Sequence, residues 1–143
     1  PFLDRIDIGV EVPRQDLGMM AAEKSIDEGS FPQTEQRNSS AVMRARVMEA
    51  RARQEKRFAD ESISYNSQMT RRQIEEYCRL SGEDAVFLEK VERQQGISAR
   101  GHGKILKVAR TLADLDGQAE IGRTQLAEAI GFRSFEKKYW GSL

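Results

Sequence analysis

The chain has 143 residues, with 23 lysines and arginines against 23 aspartates and glutamates and a formal net charge of zero. Bulk charge therefore selects no nucleic acid or acidic partner, and only local clustering can. Charged residues are 32% and the apolar set 38%, a balance that suits one helix-rich soluble domain, or part of one, with a modest core. No apolar run approaches membrane-spanning length and the N-terminus lacks a basic-then-apolar signal pattern, so no membrane partner and a cytoplasmic location are expected.

Residues 1–13 carry the first pattern. Ile6, Ile8, Val10 and Val12 alternate with polar or small residues before Pro13, the period-two signature of a half-buried strand. No comparable strand pattern follows, and a single strand cannot satisfy its backbone groups or bury a face alone. The expectation is a C-terminal piece of a larger protein that begins just before the last strand of a sheet. Residues 14–38, with two glycines, a proline and mixed charge, read as a linker holding a short helical piece around Met19 to Ile26. A connection of that length is more natural between two domains than inside one.

The remainder, 39–143, reads as a helical bundle. Ser39 or Ser40 can cap a helix to about Phe58, with Met43, Val47, Ala50, Gln54 and Phe58 as its inward stripe. Thr70 with Gln73 forms a capping box for a short helix through Leu80. Ser81 opens another, turning Ala85, Leu88 and Val91 inward and stopping at Gly96. Ser98 caps the most apolar helix, with Ile105, Val108, Ala109, Leu112 and Leu115 on one face, ending at Gly117. A last helix spans about Arg123 to Ile130 and buries Leu126, Ala127 and Ile130. Tyr139 and Trp140 are expected to pack back onto this bundle or onto a partner domain. The fold class is mainly α, a helical bundle preceded by one orphan strand.

Few residues offer chemistry. Cys78 is the only cysteine, lies on the apolar side of its helix and reads as a buried small hydrophobe. His102 is the only histidine and has no ligand cluster around it in sequence, so no metal site is expected. Arg5, inside Leu3-Asp4-Arg5-Ile6-Asp7, could meet a phosphate with paired planar donors or form an ion pair with Asp4 or Asp7. Arg100, Lys104, Lys107 and Arg110 place four cations on one helix, the first of them in its opening turn. Helix N-termini already attract anions, so an external anion or a solvated basic face are both open. The first helix adds a third cationic feature: Arg44, Arg46, Arg51, Arg53 and Arg57 with Lys56, against Glu49 and Glu55. Arg44, Arg46, Arg51, Arg53 and Arg57 are the nucleic-acid candidates, although few aromatics are interleaved for stacking.

Several stretches together resemble the magnesium-chelatase-like AAA+ ATPases, in particular the ComM/YifB competence family. They are Pro1-Phe2-Leu3-Asp4-Arg5-Ile6-Asp7, Val10-Glu11-Val12-Pro13, Ser39-Ser40-Ala41 with Arg44, Arg46-Val47, Ala50-Arg51 and Gln54, then Ile97-Ser98-Ala99-Arg100. Ile105 through Leu115, Ile121-Gly122 and Ala127-Glu128-Ala129-Ile130 complete the series. The resemblance implies that residues 1–13 end an AAA+ core and that 39–143 form the helical lid. It implies that Arg5 is an arginine finger presented to ATP on a neighbouring subunit, and that Arg100 is the sensor 2 arginine touching the γ-phosphate. ATP and Mg are the cofactors implied for the full-length parent. The Walker motifs and sensor 1 would lie upstream, so this piece alone should be inactive and bind no nucleotide tightly. The implied partners are its own upstream core, neighbours in a hexamer, and DNA, for a branch-migration or helicase motor of competence and recombination. Two alternatives stand beside it: the ATPase subunit of a magnesium chelatase that inserts Mg into a tetrapyrrole, and a non-catalytic helical interaction module. The family commonly carries bulkier residues where this chain has Gly101-His102-Gly103.

Overall fold

A computed structural model describes residues 5–12 and 39–133. The expected linker, the helical piece around Met19, and Tyr139 with Trp140 lie outside the described residues.

Among the described residues, five α-helices and one short 3-10 turn form the bundle: α1 (Ser40–Arg57), the 3-10 turn Asn66–Gln68, α2 (Arg71–Tyr77), α3 (Gly82–Gln95), α4 (Ala99–Leu115) and α5 (Arg123–Gly131). Their starts follow capping chemistry. The Ser39 hydroxyl, not that of Ser40, accepts from the Val42 amide at 3.4 Å. Thr70 and Gln73 exchange bonds in the expected box, with the Thr70 amide 2.8 Å from the Gln73 side-chain oxygen. Ser81 and Ser98 accept from the amides of Asp84 and Gly101, each at 3.1 Å. Each such bond satisfies one of the amides that a helix start leaves without a partner. At the other end of α3, Gly96 takes φ 69°, a left-handed turn that an L side chain resists.

The most apolar helix, α4, is the axis, and α1, α2 and α5 all pack against it. Ile105, Ala109 and Ala113 are fully buried on α4, and Leu126 and Ala129 of α5 meet them in the core. Phe58 closes the base of α1 edge-to-face on Tyr77, with ring centroids 5.4 Å apart, a favoured geometry for aromatic pairs. Cys78 is buried as expected, and burial pushes its thiol up to about 11.

Several sequence expectations need correction. Ala85 and Ala127 are exposed; Asp84 and Ala129 occupy the buried positions instead. Asp84 is held there by Ser81 and Arg123, so a capping acid displaced the apolar neighbour. Helix α2 ends at Tyr77, three residues before Leu80. On α1 the inward stripe is real only from Ala50 onward, since Met43 and Val47 are half-exposed. Among the described residues there is no β-strand. Residues 5–12 make no ladder, and Val10 and Val12 are exposed, as follows for a period-two segment with no neighbouring strand.

Candidate functional site

The N-terminal end of α4 gathers the residues with chemistry. Its first turn carries no acidic side chain, so its free amides and dipole are not neutralised by a carboxylate on the helix itself. Gly101 is buried there. A β-carbon at that position would lie 2.7 Å from Ile97 Cγ2, so close helix packing fixes this glycine. Gly103 differs: a β-carbon would sit 3.5 Å from Ile74 Cδ1, an ordinary contact. Between them His102 Nδ1 lies 2.6 Å from Glu92 Oε1, tying the last turn of α3 to the first of α4. Among the described residues no group of three His, Cys, Asp or Glu side chains could hold a metal.

The four cations predicted on this helix separate into distinct environments. Arg100 is exposed and makes no ion pair among the described residues. It borders an open cavity of about 870 Å³ between α2 and α4, with Ile74 and Cys78 opposite and Gly103 and Lys107 beside it. Lys104 is largely covered and pairs with Asp7 at 2.8 Å. Lys107 donates to the Ser67 carbonyl at 2.8 Å. Arg110 does not belong to the basic surface at all. It is 2% exposed, donates to the carbonyls of Gln118 and Ala119 at 2.8 Å each, and pairs with Asp114 at 3.2 Å.

Asp7 brings the N-terminal segment to the same end of the bundle. Besides the Lys104 contact, Arg133 Nη1 donates to the Ile6 carbonyl and the Gly9 amide to the Phe132 carbonyl, both at 2.9 Å. Arg5, exposed, lies two residues from Asp7, and Arg100 lies one turn before Lys104. The two predicted arginines are thus carried by segments that one ion pair joins.

The predicted nucleic-acid set on α1 divides. Arg57 is removed from it, because its guanidinium is spent on a buried carboxylate: Nη1 donates to Asp114 Oδ2 at 2.9 Å, and Nη2 to the other oxygen. Arg53 donates to the Asp114 carbonyl at 3.2 Å, and Arg46 approaches Asp116 at 3.9 Å. Arg51 stacks over the Tyr65 ring at 3.9 Å, a cation–π contact. Arg44 is exposed.

Sequence reading missed Asp114, the polar centre of the molecule. It is fully buried and receives Asn66 Nδ2 at 2.8 Å in addition to Arg57 and Arg110. Burial alone would raise its pKa, but the hydrogen bonds from Arg57 and Asn66 and the charges of Arg57 and Arg110 outweigh that and hold it low. The available signal was an acid four residues after an arginine on the most apolar helix. Spacing of that kind pairs charges, but it does not say that both are buried.

The described residues thus define a helical bundle packed around one apolar helix, with an exposed arginine in that helix's first turn. The chain belongs to the family described as magnesium chelatase, subunit ChlI C-terminal, whose profile matches residues 37–133. Arg100 lies inside that match, and Arg5 precedes it. Competence protein ComM of Haemophilus influenzae is 38% identical over 135 residues, covering 94% of this chain and 24% of that protein. The uncharacterized protein YifB of Escherichia coli is 36% identical over 137 residues, 96% of this chain and 24% of its own length. YifB of Salmonella typhimurium is 34% identical with the same coverage. The chain therefore spans 24% of the length of these curated relatives.

Proposed function

We propose that this chain is the helical lid of a magnesium-chelatase-like AAA+ ATPase of the ComM type, acting in a hexameric motor on DNA. The observation that carries the reading is Arg100: an exposed guanidinium in the first turn of α4, within the family match, with no carboxylate partner among the described residues. An arginine so placed suits the γ-phosphate of a bound nucleotide, with planar donors and a helix start behind them. Arg5, on the segment held by Lys104 and Arg133, is the finger offered to a neighbouring subunit. A finger stabilises charge developing on the transferred phosphoryl group and in other NTPases is worth roughly 10³–10⁵ in rate. ATP and Mg belong to the upstream core of the intact protein, and this chain's residues contribute binding contacts and orientation from the lid side. Arg44, Arg46 and Arg51, the outward members of the α1 set, are the DNA-facing candidates.

The family description also supports a second reading, the ATPase subunit of a chelatase loading Mg into a tetrapyrrole. Turnover of ATP by the intact protein separates the two. Stimulation by branched DNA supports the motor, dependence on protoporphyrin supports the chelatase, and absence of turnover under both conditions removes both.

A further inference from the structure

Lys104 stands on α4 one turn after Arg100, and its neighbours on that helix are unfavourable. The positions three and four residues away hold Arg100, Gly101, Lys107 and Val108, so two like charges and no acid share its face. Like charges at that spacing repel, and a balancing carboxylate has to come from another segment. The side chain is nevertheless only 17% exposed. It lines a cavity of about 580 Å³ together with Ile8, Val108 and Phe132. A covered stem of this kind delivers its ammonium to one place, where it meets Asp7 Oδ1 at 2.8 Å.

Asp7 is also the carboxylate two residues along the chain from Arg5. It is held by Lys104 instead, and Arg5 makes no ion pair among the described residues. Two further contacts secure the residues around Asp7: the Ile6 carbonyl accepts from Arg133 Nη1, and the Gly9 amide donates to the Phe132 carbonyl. These tie the segment to the chain leaving α5, while the Lys104 pair ties it to α4. A partly exposed ion pair adds little to the stability of a bundle. What this one sets is the place of the Arg5 segment along α4.

We infer that Lys104 is a positioning residue for ATP turnover, an inference that rests on the roles proposed above for Arg5 and Arg100. Through Asp7 it holds the Arg5 segment beside the first two turns of α4, and it keeps the Asp7 carboxylate from engaging Arg5. A nucleotide touched by Arg100 in one subunit then bears on where that subunit's Arg5 stands toward the next. Steady-state turnover by the intact protein tests this with Lys104→Met, which keeps a covered stem without its charge, with Asp7→Asn, with the two combined, and with Lys104→Arg. Either single loss should lower kcat by about tenfold or more, since misplacing a group by about 1 Å can cost about 100-fold, and KM for ATP should stay unchanged. The double variant should fall no further than either single one, as for two groups that act as a unit, and Lys104→Arg should keep most of the rate. Hydrogen exchange of the peptide carrying Gly9 should quicken in both single variants, while the peptide carrying Leu126 stays protected in a folded bundle. Undiminished kcat in Lys104→Met, with turnover lost in Arg5→Ala and Arg100→Ala, overturns this inference alone. So do additive losses in the double variant, or Gly9 exchange indifferent to both changes. A raised KM in Lys104→Met that Asp7→Asn does not share also overturns it, by making Lys104 a direct phosphate contact. Undiminished turnover in Arg5→Ala overturns the finger role itself, and the positioning role with it.

Discussion

At Asp114, two guanidiniums and a carboxamide surround a carboxylate that water does not reach. A buried ion pair adds little over a well-packed apolar core, yet removing one partner strands the other charge. Replacing Arg57 with methionine should therefore destabilise the chain by about 3 kcal/mol, read as a lower urea midpoint. The same carboxylate sets a pH dependence. Its folded pKa is depressed below the ordinary 3.8, as is that of Asp84, whose carboxylate is held by Arg123 and Ser81 against the opposing effect of burial. Depressed carboxylates bind protons more weakly when folded. Their stabilisation is complete above the unfolded value and is lost as pH falls through the folded one. Urea midpoints should thus be flat at neutral pH and fall below about pH 4, and Asp114→Asn should flatten that acid limb. The two glycines flanking His102 make a second test. Gly103→Ala should stabilise by up to about 1 kcal/mol from helix propensity. Gly101→Ala should destabilise, because its methyl meets Ile97.

Among the elements, what could be read from the sequence follows a simple division. Caps and stops are local, so Ser39, Thr70, Ser81, Ser98 and Gly96 mark helix ends in both sequence and structure. Which face is buried is not local. The stripe on α1 runs unbroken from Met43 to Phe58 in sequence, but the bundle covers it only from Ala50 onward because α1 overhangs its neighbours. Ala85 fits a helical period, yet alanine contributes too little area to decide a face against Asp84, which Ser81 and Arg123 hold in place; Ala127 and Ala129 are equal in area, and only packing in the core chooses between them. Two members of the cationic patterns depart from the rest for the same reason. Arg57 and Arg110 resemble their exposed neighbours in spacing, and only the burial of Asp114 between α1 and α4 distinguishes them. The place of Arg100 in a serine-capped first turn is local, so sequence and structure agree on it; the Lys104–Asp7 pair, almost a hundred residues apart in sequence, was not legible. At this scale the Ser98 cap is testable. Ser98→Ala leaves the Gly101 amide without its acceptor and should cost about 1 kcal/mol, and hydrogen exchange should quicken in the first turn of α4 before it does so elsewhere.

For the whole molecule, the described helices gather around α4, with Arg100 at its N-terminal end. No helix among the described residues is long and apolar enough to cross a membrane. The chain matches the ChlI C-terminal family over residues 37–133 and spans 24% of the length of the ComM relative. On the proposed reading this chain offers an arginine without the loop that cradles phosphates, so nucleotide titration of this chain by itself should show no micromolar affinity. The central claim concerns what Arg100 does once a core is present. Steady-state ATP turnover by the intact protein, with Arg100 replaced by alanine and by lysine, tests it most directly. The account predicts a large fall in kcat for Arg100→Ala and only partial recovery in the lysine variant, whose single point charge cannot reproduce the planar donors. Undiminished kcat and KM in the alanine variant would contradict it.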